Sequence, residues 1–103
     1  MSKKIRLTEE EIKAIVETAK EVFGEEVKVW LFGSRVDLNK RGGDIDLYIE
    51  AEIPKGEILD KKLTFLVKLD EKIGEQKVDL IIRPPNSEDE ISLTAKGSGV
   101  RLL

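Results

Sequence analysis

Asp44 and Asp46 stand two residues apart at the head of the alternating run DIDLYIE. In an extended strand, residues i and i+2 project from one face roughly 7 Å apart, so both carboxylates can serve a single site. Two anions held that close repel, and one pKa rises unless a cation comes between them. The bland counterpart is a Gly-Gly-Asp turn leading into a solvated strand edge. Asp79 adds a third carboxylate inside Val78-Asp79-Leu80-Ile81-Ile82, among core formers, where an unpaired charge is costly to bury. A salt bridge to Lys77, or an exposed strand end, would account for it without function. If the three converge, they form a clamp for two divalent ions about 3.5–4 Å apart.

Gly33 and Ser34 follow an apolar segment directly. Glycine lets a phosphate approach the backbone, N–H groups at a beginning helical turn point at an anion, and the Ser34 hydroxyl adds a donor. Arg35, Lys40 and Arg41 are placed to neutralise a triphosphate, although such residues are ordinarily just solvated. The Walker A pattern G-x-x-x-x-G-K-[ST] is absent.

The chain has no cysteine and no histidine. That removes Cys–His and Ser–His–Asp chemistry, a histidine base and the usual zinc sites. Carboxylates must then handle both protons and metals, and oxygen ligands favour hard cations such as Mg²⁺ or Mn²⁺. A net charge of −3 argues against wrapping duplex nucleic acid. No apolar run approaches the roughly 20 residues of a membrane span, and MSKKIRLTEEE has no apolar signal region, so cytoplasmic residence is expected.

The elements that must position these residues are legible from periodicity. Thr8 to Phe23 predicts a helix: Thr8 and Glu11 have capping-box spacing, Ile12, Ile15, Val16, Ala19, Val22 and Phe23 recur helically, and Gly24 ends it. Val27 to Phe32 predicts a strand, and the polar VDLNKRGG turns the chain. In Asp44 to Glu50, Ile45, Leu47 and Ile49 fall on one face and Asp44, Asp46 and Tyr48 on the other. Glu57 to Ile73 predicts a helix whose apolar face is wide enough to be covered on more than one side, within the domain or by a partner. Val78 to Ile82 predicts a strand stopped by Pro84-Pro85. Ser87 and Glu90 repeat the capping-box spacing and predict a short helix through Lys96; Gly97-Ser98-Gly99 turns into a terminal edge strand, VRLL. With no repeat or linker, residues 1–103 are expected to be one domain.

A short connection makes the first two strands antiparallel neighbours; an intervening helix makes the second and third parallel. The end of the first strand and the starts of the other two therefore lie side by side. Those places hold Gly33-Ser34, Asp44 with Asp46, and Asp79.

Gly33-Ser34-Arg35, then Gly43-Asp44-Ile45-Asp46, then the aspartate of Lys77-Val78-Asp79-Leu80-Ile81 resemble the active-site signature of the polymerase-β-type nucleotidyltransferase superfamily. Length and element order resemble its minimal nucleotidyltransferases, the MNT class. The resemblance implies an α/β (α+β) nucleotidyltransferase fold, with a small mixed sheet and helices packed mainly on one face. It implies transfer of NMP, AMP foremost, from ATP or another NTP to a hydroxyl, with two Mg²⁺ ions. By motif, Gly33, Ser34 and Arg35 would hold the phosphates; Asp44 and Asp46 would ligate both metals, and Asp79 the one at the acceptor. It also implies an antitoxin-like partnership with a HEPN-domain protein, and leaves homo-oligomers open. Two other readings are a non-catalytic module that neutralises a partner by contact, and a Mg²⁺-dependent phosphohydrolase, against which the Gly-Ser turn and strand order argue.

Overall fold

A computed structural model describes residues 7–33 and 44–103. Along the chain run α1 (Glu9–Phe23), β1 (Lys28–Phe32), β2 (Ile45–Glu50), α2 (Ile58–Ile73, after a 3₁₀ turn Lys55–Glu57), β3 (Val78–Arg83), α3 (Glu90–Ser98) and β4 (Val100–Arg101). The strands form one mixed sheet in the order β3-β2-β1-β4. β1 pairs antiparallel with β2 and with β4, and β2 pairs parallel with β3. This is the predicted small mixed sheet, and the terminal VRLL supplies its edge: Val29 donates to the Leu103 carbonyl and accepts from Leu102.

Alternation along the strands sorts their side chains into two cores. Val29, Leu31, Ile45, Leu47, Ile49, Leu80 and Ile82 pack with Ala14, Ile15, Ala19 and Val22 of α1 and Phe65 and Leu69 of α2. On the opposite face Trp30 and Tyr48 meet Ala95 of α3, flanked by Phe32 and Ile81. Two helices thus cover one face and α3 covers part of the other.

α1 begins as its sequence dictates: the Thr8 hydroxyl accepts from the Glu11 N–H, and the Glu11 carboxylate accepts from the Thr8 N–H. α3 starts later than the Ser87/Glu90 spacing predicts. Its N-cap is Asp89, while the Ser87 hydroxyl donates to the Pro84 carbonyl in the preceding turn. The broad apolar face of α2 is covered on one side only. Phe65 and Leu69 are buried, whereas Leu59, Leu63 and Val67, one turn apart, are more than half exposed.

Candidate active site

β2 carries the site on the face opposite the main core. Ile45 is fully buried while Asp44 and Asp46 on either side are partly exposed, as period-two alternation requires. The register is direct: Asp46 lies opposite Phe32 of β1 on one side and opposite Asp79 of β3 on the other. Adjacent strands run about 4.8 Å apart, so Asp46 and Asp79 are nearest neighbours across the ladder. The predicted meeting of one strand end with two strand starts is what the sheet contains.

Asp79 is exposed, although Leu80 and Ile82 beyond it are buried. It occupies the open end of β3, the exposed strand end that was one of the readings of its place among apolar neighbours. Lys77 does not pair with it. The Lys77 Nζ sits 3.5 Å from Asp44 Oδ2. The Asp46 carboxyl is pushed above its ordinary value, first by burial and then by the Asp79 and Asp44 carboxylates. Lys77 acts on it in the opposite direction.

Gly33 closes the site from the β1 side. Its φ is +78°, and a Cβ built there would overlap Asp46 Oδ2 and stand 3.0 Å from Asp46 Cγ. The residue is thus fixed twice, by a backbone conformation that L side chains rarely adopt and by the carboxylate packed against its α-carbon. The sequence suggests that the bare α-carbon admits a phosphate; in the structure the Asp46 carboxylate also uses that space. Ser34, Arg35, Lys40 and Arg41 lie outside the described residues.

Among the described residues, no three carboxylates are gathered closely enough as they stand to cage a metal ion. The donor set nevertheless suits a hard divalent cation: all ligands are oxygens, and Asp46 and Asp79 repel one another without an interposed charge. Asp44 is engaged with Lys77 instead.

Behind these aspartates on the same face lies a network that sequence reasoning did not single out. Glu50 is 2% exposed and accepts from Lys96 Nζ at 2.6 Å, the Tyr48 hydroxyl at 2.7 Å and the Asn86 N–H at 3.1 Å. Burial pushes the Glu50 carboxyl up, but these three donors together outweigh it and the pKa lies below the ordinary value. The Tyr48 hydroxyl is driven up to about 12, mainly by burial. The network ties α3 to β2, the strand that presents Asp46. Its signal was available: Tyr48 and Glu50 continue the alternation that begins at Asp44 and Asp46.

Acidic side chains thus meet at adjacent strand ends, with a glycine backbone turned against one of them. The chain belongs to the nucleotidyltransferase domain family, whose sequence profile matches residues 11–102. No curated protein matches the chain. The family match supports the polymerase-β-type assignment and general transfer of a nucleotidyl group. No helix among the described residues is long and apolar enough to cross a membrane.

Proposed function

We propose that this chain transfers NMP, with AMP foremost, from an NTP to a protein hydroxyl, using Asp44, Asp46 and Asp79 as ligands for two Mg²⁺ ions. The observation that carries the reading is the register of Asp46 with Asp79 beside the positive-φ Gly33, at one end of the sheet. Bound metal would supply charge neutralisation at the α-phosphate. Asp44 and Asp46, on one strand face, would hold both ions, and Asp79 on the neighbouring strand would hold the ion at the acceptor. Gly33, Ser34 and Arg35 would bind the phosphates. The acceptor oxygen attacks the α-phosphorus, the α–β bridging bond breaks, pyrophosphate leaves, and the acceptor proton passes to a carboxylate or to water. Little covalent help is needed; in-line positioning and electrostatic stabilisation supply most of the rate.

The uncovered side of α2 supports a protein acceptor. Leu59, Leu63 and Val67 are exposed in one stripe. It adjoins a groove of about 430 Å³ whose lining includes Leu66, Ile73 and Val78. Exposed apolar side chains grouped on one helix face make that face a candidate docking surface. The partner expected from the MNT resemblance is a HEPN-domain protein, modified on a hydroxyl. The same stripe also fits a second reading, in which the chain neutralises its partner by contact alone.

The test mixes the chain with ATP, Mg²⁺ and the protein encoded beside it. Stepwise mass gain of that protein by one AMP per event, with pyrophosphate released, is the expected result. Binding without mass gain would favour the contact reading, and orthophosphate in place of pyrophosphate would indicate a phosphohydrolase.

A further inference from the structure

Lys77 is the only cation found ion-paired with any of the three aspartates among the described residues. Its position follows from the ladder. The Ile45 N–H donates to the Lys77 carbonyl, which sets Lys77 beside Asp44 just as Asp79 is set beside Asp46. Residues 77 and 79 share a strand face by alternation, so the ammonium rises on the carboxylate side of the sheet. Its Nζ stands 3.5 Å from Asp44 Oδ2. The Lys77 side chain is 75% exposed and that of Asp44 37%. The pair is therefore in contact with water, where such pairs contribute little to stability.

We propose that Lys77 is a displaceable counter-ion of this site: it holds Asp44 in the metal-free protein and must release it before a divalent cation can take all three aspartates. The inference rests on the reading of the three aspartates as a metal site and adds a residue that regulates its filling. The physics has two parts. An ammonium bound to Asp44 occupies an anionic oxygen that a metal needs, and a positive charge left close to the bound cation repels it. Both effects make divalent binding weaker than the bare carboxylate set would give. The lysine also offsets repulsion among the carboxylates, its charge reaching Asp46 as well. Lys77 is a positioning residue in this account, acting through Asp44 rather than on substrate.

The test is Mn²⁺ binding to the whole, nucleotide-free chain, followed by calorimetry and by the electron-spin-resonance signal of free Mn²⁺. Wild type, Lys77→Met, Lys77→Arg and Asp46→Asn are compared at low and high ionic strength. Lys77→Met should bind Mn²⁺ about two- to five-fold more tightly than wild type, the scale on which exposed ion pairs act. Lys77→Arg, which keeps the charge, should stay close to wild type. The advantage of Lys77→Met should shrink as salt screens the ammonium in the reference protein. A purely structural lysine would alter thermal stability and leave Mn²⁺ affinity untouched; unchanged or weaker affinity in Lys77→Met, with wild-type binding intact, overturns the proposal. Wild type that binds no Mn²⁺, or Asp46→Asn that binds it equally well, overturns the three-carboxylate reading itself, and the counter-ion role falls with it.

Discussion

Replacing Gly33 by alanine puts one methyl group where the structure has none to spare. Two costs arise together. At φ +78° an L-residue carries a steric penalty of about 1–2 kcal/mol. The new Cβ would also overlap Asp46 Oδ2, so the carboxylate must rotate away or β1 must shift from β2. The backbone penalty alone should lower the Tm of a domain this size by roughly 5–15 °C. Displacing Asp46 should remove nucleotidyl transfer, since a misplacement of about 1 Å at a reacting centre costs on the order of 100-fold. Gly24 provides the control. Its φ is +99°, but a Cβ there meets nothing within 4 Å. Gly24→Ala should therefore lose stability of similar size and keep its activity per folded molecule. The assay is thermal unfolding by circular dichroism beside nucleotide transfer at a temperature where both variants are folded. Equal activity in Gly33→Ala and Gly24→Ala would refute the claim that Gly33 exists to admit the Asp46 carboxylate.

Asp46→Asn should abolish transfer yet raise Tm at pH 7. The Asp46 pKa is raised in the folded state, so the ionised group opposes folding above that pKa, and the advantage of asparagine should fade as pH drops toward 4. Lys96→Met leaves the buried Glu50 charge without its closest partner and should cost about 3 kcal/mol or more; Glu50→Gln in the same chain should recover part of that loss, read by denaturant unfolding. Because the Glu50 pKa is depressed, its contribution is fully present above the unfolded value of 4.5 and is lost as pH falls through the folded one; wild type should lose stability there and Glu50→Gln should not. Ser34→Ala should weaken NTP binding moderately, measured by calorimetry, because backbone N–H donors remain.

The sheet was legible because its signals are local and redundant. The Asp44-to-Glu50 run alternates without error, and one short and one helical connection fix the neighbours of β2. From that, the meeting of Gly33, Asp46 and Asp79 follows without any long-range information. The start of α3 differs from the capping-box spacing for a definite reason: Ser87 donates to the Pro84 carbonyl in its own turn, and the helix begins two residues later with Asp89 at the N-cap position. The exposed strand end was one of the alternatives open for Asp79, since apolar residues at the strand end do not reveal where the cover stops. Glu50 and Lys96 lie far apart in sequence, and only the packing of α3 onto Trp30 and Tyr48 brings them together. The division of the α2 face into covered and uncovered sides depends on what else packs there, which periodicity does not encode.

Three aspartates on adjacent strand ends are proposed to act together on the α-phosphate of a nucleotide. This is tested most directly by following label from an NTP marked at the α-phosphate, and separately at the γ-phosphate, into the acceptor protein with Mg²⁺ present. Wild type is compared with Asp44→Asn, Asp46→Asn and Asp79→Asn, each checked for folding. The account predicts that α-label alone enters the acceptor and that each single substitution removes it. Transfer of γ-label, or a folded variant of any one aspartate with wild-type incorporation, would contradict it.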